Sequence, residues 1–250
     1  ESAISPSAMM RRLLCLDGGH VQYYGNYSNQ CVSEAQNFTY GGQGGSSASD
    51  LVNSKLIILW GHNLAETTFG AETMYYLRKA KEAGAKIITV DPIYNDTAVG
   101  FADEHIYCLP TTDSAVMLAM AYVMITENLY DKNFLYKYCV GFDADTMPPG
   151  IPAKESFKAY VMGEQDGVPK TPEWASAISK VPAETIIRLA REYATTKPAC
   201  LNMGWGPNRH SNGEHPYRVA ATLGAMTGNI GISGGFAPGL NSWSRKSIIM

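Results

Sequence analysis

A run of five apolar residues, Leu56-Ile57-Ile58-Leu59-Trp60, stops abruptly at the polar turn Gly61-His62-Asn63-Leu64-Ala65-Glu66-Thr67. The run reads as a buried strand. A helix is expected over Glu72 to Ala83, with Met74, Leu77 and Ala80 on one face and Gly84 ending it. A second apolar run, Ile87-Ile88-Thr89-Val90, stops at Asp91-Pro92. A third, His105 to Leu109, stops at Pro110-Thr111-Thr112-Asp113, where another helix opens. Strand, helix, strand, strand, helix, with polar residues at each strand's carboxyl end, is the plan of a nucleotide-binding α/β sheet. That sheet is expected to be mainly parallel, with helices on both faces. Ligands of such sheets sit just outside the carboxyl ends of the strands.

The same alternation continues downstream. Asp131 to Tyr138 reads as a short amphipathic helix, and the Pro- and Gly-rich residues 141–170 as an irregular excursion. Thr171-Pro172 starts a helix, with Thr as the cap and Pro in the first turn. Pro182 opens another, whose apolar residues are Ile186, Ile187, Leu189 and Ala190. Pro198 to Met203 is a further strand, and Glu214 to Thr227 a last helix closed by Gly228-Asn229. Residues 1–49 are polar after a short helix-like start, Ser7 to Leu16, and Gly41 to Ser47 reads as a mobile loop. The division is therefore into an adjoining segment, 1–49, and an α/β domain, 50–250.

The net charge of −3, with Lys and Arg scattered, argues against a nucleic-acid surface. No apolar stretch is long enough for a membrane helix; Met117 to Ile125 reads as a core helix ended by Thr126-Glu127-Asn128. The five cysteines, Cys15, Cys31, Cys108, Cys139 and Cys200, include no Cys-x-x-Cys pair and so mark no zinc or iron–sulfur site. Their odd count and wide spacing do not suit a disulfide framework.

The residues at the strand ends have chemical uses. Gly61 allows close approach of a ligand to the backbone. Asn63 offers a donor and an acceptor. Asp91 can accept hydrogen bonds from ribose hydroxyls or from guanine, and Asp113 from a base at a helix N-terminus. Each Asp alone reads more readily as a cap of its turn or helix than as a ligand contact, but three such sites at successive strand ends point to a binding cleft. After the last strand, Gly204-Trp205-Gly206-Pro207-Asn208-Arg209-His210 gathers an aromatic ring, a guanidinium suited to pyrophosphate and an imidazole. Trp205 is open to two readings, a ring stacked on a ligand or a core anchor.

Trp60 to Thr67, Val90-Asp91-Pro92-Ile93-Tyr94 and Thr111-Thr112-Asp113 resemble the three nucleotide-contacting segments of the molybdopterin guanine dinucleotide oxidoreductases. Within that family the chain is most similar to catalytic (molybdenum) subunits of the dimethyl sulfoxide reductase type. Tyr138 to Asp143, Lys170 to Ser176, Gly204 to His210 and Leu223 to Gly235 extend the resemblance over nearly the whole chain. It implies a Rossmann-like dinucleotide-binding domain and a respiratory reductase that passes electrons and an oxo group to an S-oxide or N-oxide.

It implies cofactor contacts at Trp60, Gly61, Asn63, Glu66, Thr67, Asp91, Pro92, Tyr94, Thr112, Asp113, Gly204, Trp205, Arg209 and His210. Asp113 is expected to read guanine N1–H and N2–H with its two carboxylate oxygens. Ser28, aligned through Asn37 to Gly42, falls at the family's metal-ligand position, with Cys31 as its rival. A serinate oxygen would complement the soft sulfurs of two pterins.

The implied cofactor is molybdenum-bis(molybdopterin guanine dinucleotide), with a 4Fe-4S cluster expected upstream of this chain. The implied partners are a small-molecule substrate, an iron–sulfur electron-transfer subunit and a membrane anchor subunit. The implied location is the periplasm or the outer face of the cytoplasmic membrane. Gln43 and Thr68 depart from the family's usual Trp and Arg, which bears on the substrate more than on the cofactor. The chain reads as an internal fragment, expected by itself to hold no cofactor and to be inactive. Two rival readings compete. A non-catalytic nucleotide-binding domain, like the central domain of thiamine-dependent enzymes, gives Ser28 no task. A nicotinamide-dependent dehydrogenase needs a Gly-x-Gly-x-x-Gly turn, which the segment after Trp60 lacks.

Overall fold

Four strands form one parallel sheet in the order β3-β2-β1-β4: β1 (Leu56–Trp60), β2 (Lys86–Val90), β3 (Glu104–Ile106) and β4 (Ala199–Met203). The computed structural model describes residues 5–22, 24–42, 44–67 and 72–235. Every residue of β1 and β4 is buried. Alternation then divides their side chains between two cores. Leu56, Ile58, Trp60, Ile88, Val90, Leu201 and Met203 face one of them; Ile57, Leu59, Ile87 and Cys200 face the other. Burying each such aliphatic side chain contributes about 1.5–3 kcal/mol. This explains why β1 is unbrokenly apolar and β2 and β4 nearly so, with Thr89 and Asn202 the buried exceptions: a strand covered on both sides has no solvent face for polar residues.

The smaller core lies under α3 (Glu72–Glu82), which contributes Leu77 and Ala80, and under the 3-10 turn Ala48–Asn53, which contributes Leu51. The larger core lies under α5 (Asp113–Thr126), α8 (Pro172–Ser179), α9 (Ala183–Thr195) and α10 (His215–Met226). α5 is apolar all round because α8, α9 and α10 pack against it in addition to the sheet side. α9 has a single buried stripe, Ile186, Leu189, Ala190 and Tyr193, at helical spacing. Thr171 caps α8, its hydroxyl accepting from Trp174 N, with Pro172 in the first turn. The fold is thus the expected α/β sandwich, and no helix among the described residues is long and apolar enough to cross a membrane.

Several segments differ from their sequence reading. The link between β2 and β3 contains α4 (Asp96–Phe101), capped by the Asn95 side chain. At one and a half turns it is too short to show a periodicity. The polar amino-terminal region holds α1 (Pro6–Leu16) and α2 (Gln30–Tyr40). α1 buries nothing, whereas α2 places Val32 and Ala35 in the larger core. The expected division at residue 49 falls inside the Ala48–Asn53 turn. The glycine run is anchored rather than loose: Gly44 and Gly45 are buried, and Gln36 Nε2 donates to Gly44 O at 2.7 Å. Beyond α6 (Lys132–Tyr138), residues 141–170 are compact. They include α7 (Phe157–Val161) and bury Phe142, Ala159 and Val161. Lys170 is 2 % exposed there, held by Asp166 at 2.6 Å and lying over the Tyr160 ring. Gln43 and Thr68 lie outside the described residues.

Candidate functional site

The register fixes where the strands end. Trp60 pairs with Val90 and with Met203, and Val90 pairs with Ile106. The residues that follow, Gly61, Asp91 and Gly204, therefore leave one edge of the sheet, as does the segment leading to Asp113. Strand order runs outward from β1 to β3 on one side, and β4 lies on the other. This makes the space at the ends of β1 and β4 the topological switch point, where ligands of such sheets bind.

The two turns at that point touch. Gly204 N donates to Trp60 O at 2.8 Å, and a Cβ on Gly204 would lie 2.0 Å from Gly61 O. Gly61 has φ +56°, and a Cβ there would meet Pro207 Cδ at 2.5 Å. Both glycines are thus required by contact between the turns, a demand that the sequence did not show. His62 donates from Nδ1 to Asn202 Oδ1 at 2.8 Å, and burial pushes its pKa down to about 4. The Tyr217 hydroxyl donates to Gly204 O.

The second arm of the site comes from far away in sequence. Asn208 is 1 % exposed. Its Oδ1 accepts from Val32 N and its Nδ2 donates to Tyr27 O, each at 2.9 Å. These two bonds bind the loop before α2 to the β4 turn. They bring Ser28 Oγ within 3.4 Å of an Arg209 guanidinium nitrogen, while the guanidinium lies over the Tyr27 ring at 5.2 Å. Ser28 N is in turn held by Asn26 Oδ1 at 2.9 Å. Tyr217, 2 % exposed, is the node between the arms. Burial raises its pKa first, and the nearby Asp113 and Cys31 raise it further, while Arg209 opposes them. Sequence reasoning passed over Asn208 and Tyr217. Their only signal was a polar amide and a phenol in otherwise well-buried surroundings.

The acidic residues differ. Asp91 is partly exposed; its Oδ1 accepts from Ile93 N at 2.9 Å, and its other oxygen has no hydrogen bond from a described residue. Burial raises its pKa, against the Ile93 N–H and His105, which lower it. Pro92 and Tyr94 are exposed beside it, the Tyr94 ring standing edge-on to His105 at 5.1 Å. Asp113 opens α5, where a helix N-terminus favours negative charge. It is 8 % exposed, and its Oδ1 accepts from Trp60 Nε1 at 2.7 Å. Burial raises its pKa, opposed first by that bond. One oxygen is therefore engaged by the indole, although a carboxylate oxygen can accept more than one hydrogen bond. Trp60, expected as a cofactor contact, is 0 % exposed and its ring lies wholly in the core.

Asn63 is also occupied on both sides. Its Oδ1 accepts from Thr97 Oγ1 at 2.7 Å, and its Nδ2 donates to Glu66 Oε2 at 3.0 Å. It shapes the β1 turn from α4, with Glu66 and Thr67 exposed at the rim. Thr112 Oγ1 donates back to Leu109 O at 2.7 Å. Trp205 is partly buried against the larger core, closer to the anchor reading. His210 donates from Nδ1 to Ser211 O at 2.7 Å, while its Nε2 is buried with no partner among the described residues. Cys108 and Cys200 are buried and Cys139 is intermediate; burial pushes the Cys108 thiol up to about 12. A separate cavity of about 770 Å³, lined by Phe38, Tyr138, Phe142 and Phe157 among others, contains none of the strand-edge residues.

A family model described as molybdopterin oxidoreductase matches residues 2–248. The chain belongs to that family. It is 49% identical over 233 residues to dimethyl sulfoxide reductase DmsA of Escherichia coli (strain K12), covering 92% of this chain and 29% of the relative. It is 35% identical over 242 residues to the dimethyl sulfoxide/trimethylamine N-oxide reductase of Rhodobacter capsulatus, covering 92% and 28%. Among solved structures it is similar to acetylene hydratase from Pelobacter acetylenicus. That match has a TM-score of 0.68 at 22% identity, over 91% of this chain and 28% of the other, and shows the shared fold. The molybdopterin oxidoreductase chain described here thus spans less than a third of the length of these relatives. Membership implies a molybdenum–pterin cofactor.

Proposed function

We propose that this chain supplies the guanine dinucleotide-binding half-site and the metal-ligand loop of a molybdenum reductase acting on an S-oxide or N-oxide. The observation that carries the reading is the approach of Ser28 to Arg209, 181 positions apart, at the switch point of the sheet. The donor set suits such a cofactor. Arg209 is exposed and can pair with a pyrophosphate. His210 Nε2 is a buried acceptor with no partner among the described residues, as a site completed by a ligand N–H would have. Asp91 and Asp113 each keep one oxygen for ribose or base. Ser28 would provide the single protein ligand, a hard oxygen beside the soft sulfurs of the pterins.

When bound, the metal supplies two-electron chemistry with oxo transfer. The chain's own part is binding and orientation. Asn208 holds the Ser28 loop, the paired glycine turns set the floor, and Tyr217 stays a neutral phenol beneath it. The resemblance of the sequence adds a 4Fe-4S cluster, an iron–sulfur subunit and a membrane anchor subunit to the parent enzyme. The parent enzyme is proposed to lie in the periplasm or on the outer face of the cytoplasmic membrane. By itself this chain is proposed to be inactive, because one α/β wall leaves the dinucleotides unenclosed.

The test is Ser28→Ala in the full-length enzyme. The variant is expected to keep its guanine nucleotide and to lose turnover by at least a hundredfold. Full activity, or molybdenum bound through Cys31, overturns the assignment of the ligand.

A further inference from the structure

The hydrogen bond from Trp60 Nε1 to Asp113 Oδ1, 2.7 Å long and 53 positions apart in sequence, joins the end of β1 to the start of α5. A buried indole N–H needs an acceptor, and a main-chain carbonyl would serve. A carboxylate is a costly choice, because one N–H does not repay the loss of its hydration. After the indole, its own main-chain N–H at the start of α5 and then His210 favour the charged form, while Asp91 opposes it; Tyr217 is held neutral and Cys108 is a buried thiol, so neither adds a compensating charge. A charge kept under these conditions is explained if it has a second task, and its remaining oxygen lies at the strand edge where the base is proposed to bind.

We infer that Trp60 is a positioning residue: its N–H locks the Asp113 carboxylate in one orientation, so that a single fixed oxygen reads the nucleobase. The inference rests on the reading of Asp113 as the base contact. Trp60 itself touches no ligand, since its ring is wholly enclosed. Loss of its N–H frees the carboxylate to rotate and removes the group that most favours its charged form. The site then binds its nucleotide less tightly, and it loses the nucleotide at a higher pH.

The experiment uses the full-length enzyme carrying Trp60→Phe, Asp113→Asn or both, with guanine nucleotide counted per chain after acid hydrolysis. Each protein is also dialysed across a pH series to find where nucleotide is lost. Trp60→Phe is expected to lower nucleotide content at least threefold and to move its acid loss to higher pH. The double variant is expected to be no worse than Asp113→Asn alone, because Trp60 acts through Asp113. Benzothienylalanine at position 60 keeps the bicyclic volume without the N–H, and should reproduce the effect if the smaller ring of Phe disturbs folding. Full nucleotide content with an unmoved pH midpoint in that analogue overturns the inference, as does independent, multiplying loss in the double variant. If Asp113→Asn itself retains the nucleotide, the reading of Asp113 as the base contact fails. If only the Trp60 variants retain it, that reading stands and the positioning role falls.

Discussion

The turns after β1 and β4 leave the same sheet edge as the turn after β2, yet they are built in opposite ways. At β1 and β4, main chain presses on main chain: Gly204 against Gly61, Gly61 against Pro207, with His62 bonded to Asn202. After β2, Asp91 is partly exposed, with one oxygen unoccupied, and Pro92, Ile93 and Tyr94 are exposed around it. The glycines of the first pair are scaffold, with Arg209 exposed beyond them, whereas the turn after β2 is open along its length. Gly is confined to the first pair and Asp to the second, but both carry Asn and Pro, and only contact shows which of them is locked.

The sharpest break of this comparison is Gly204→Ala. Its Cβ would fall 2.0 Å from a main-chain oxygen that cannot move aside. The expected cost is about 4 kcal/mol, or a melting point lower by roughly 8–16 °C for a chain of this size. Gly100→Ala is the control, since its Cβ would meet nothing within 4 Å. Equal melting points for the two variants would mean that the turns are not locked.

A smaller effect comes from acid. The folded pKa of His62 is depressed, so its contribution is fully present above the usual histidine range. That contribution is lost as pH falls from about 6.5 towards about 4, because the unfolded chain takes up the proton first. The loss is about 2–3 kcal/mol, the lower end applying because the ring is not wholly enclosed. Chemical denaturation at pH 7 and pH 4.5 should show this fall in the wild type. His62→Gln should show a shallower one, and identical slopes would place His62 on the open side of the comparison.

The smallest effects separate the two kinds of turn directly. Asn63→Ala leaves the fully buried Thr97 hydroxyl without its acceptor and should cost about 1–2 kcal/mol. Asp91→Ala removes one exposed Asx bond and should cost about 0.5 kcal/mol or less. Denaturant midpoints in the reverse order would show that the turn after β2 is structural after all.

The sequence by itself determined the sheet and its burial. The unbroken apolar run at Leu56 and the nearly apolar runs at Ile87 and Ala199 are satisfied between two covered faces. Caps such as Thr171-Pro172 act within one turn, so they too were legible. The aligned strand ends and the row of polar residues along one edge follow from the same pattern. What tertiary structure alone decided is which of those residues remain available. Trp60 and Asp113 occupy each other across 53 positions, Asn63 is held by Thr97, and Asn208 carries Ser28 to Arg209 from 181 positions away. A side chain's residue type states how many hydrogen bonds it can make. Only the folded chain decides how many its own neighbours have already taken, because those partners are brought close by packing that no local sequence encodes.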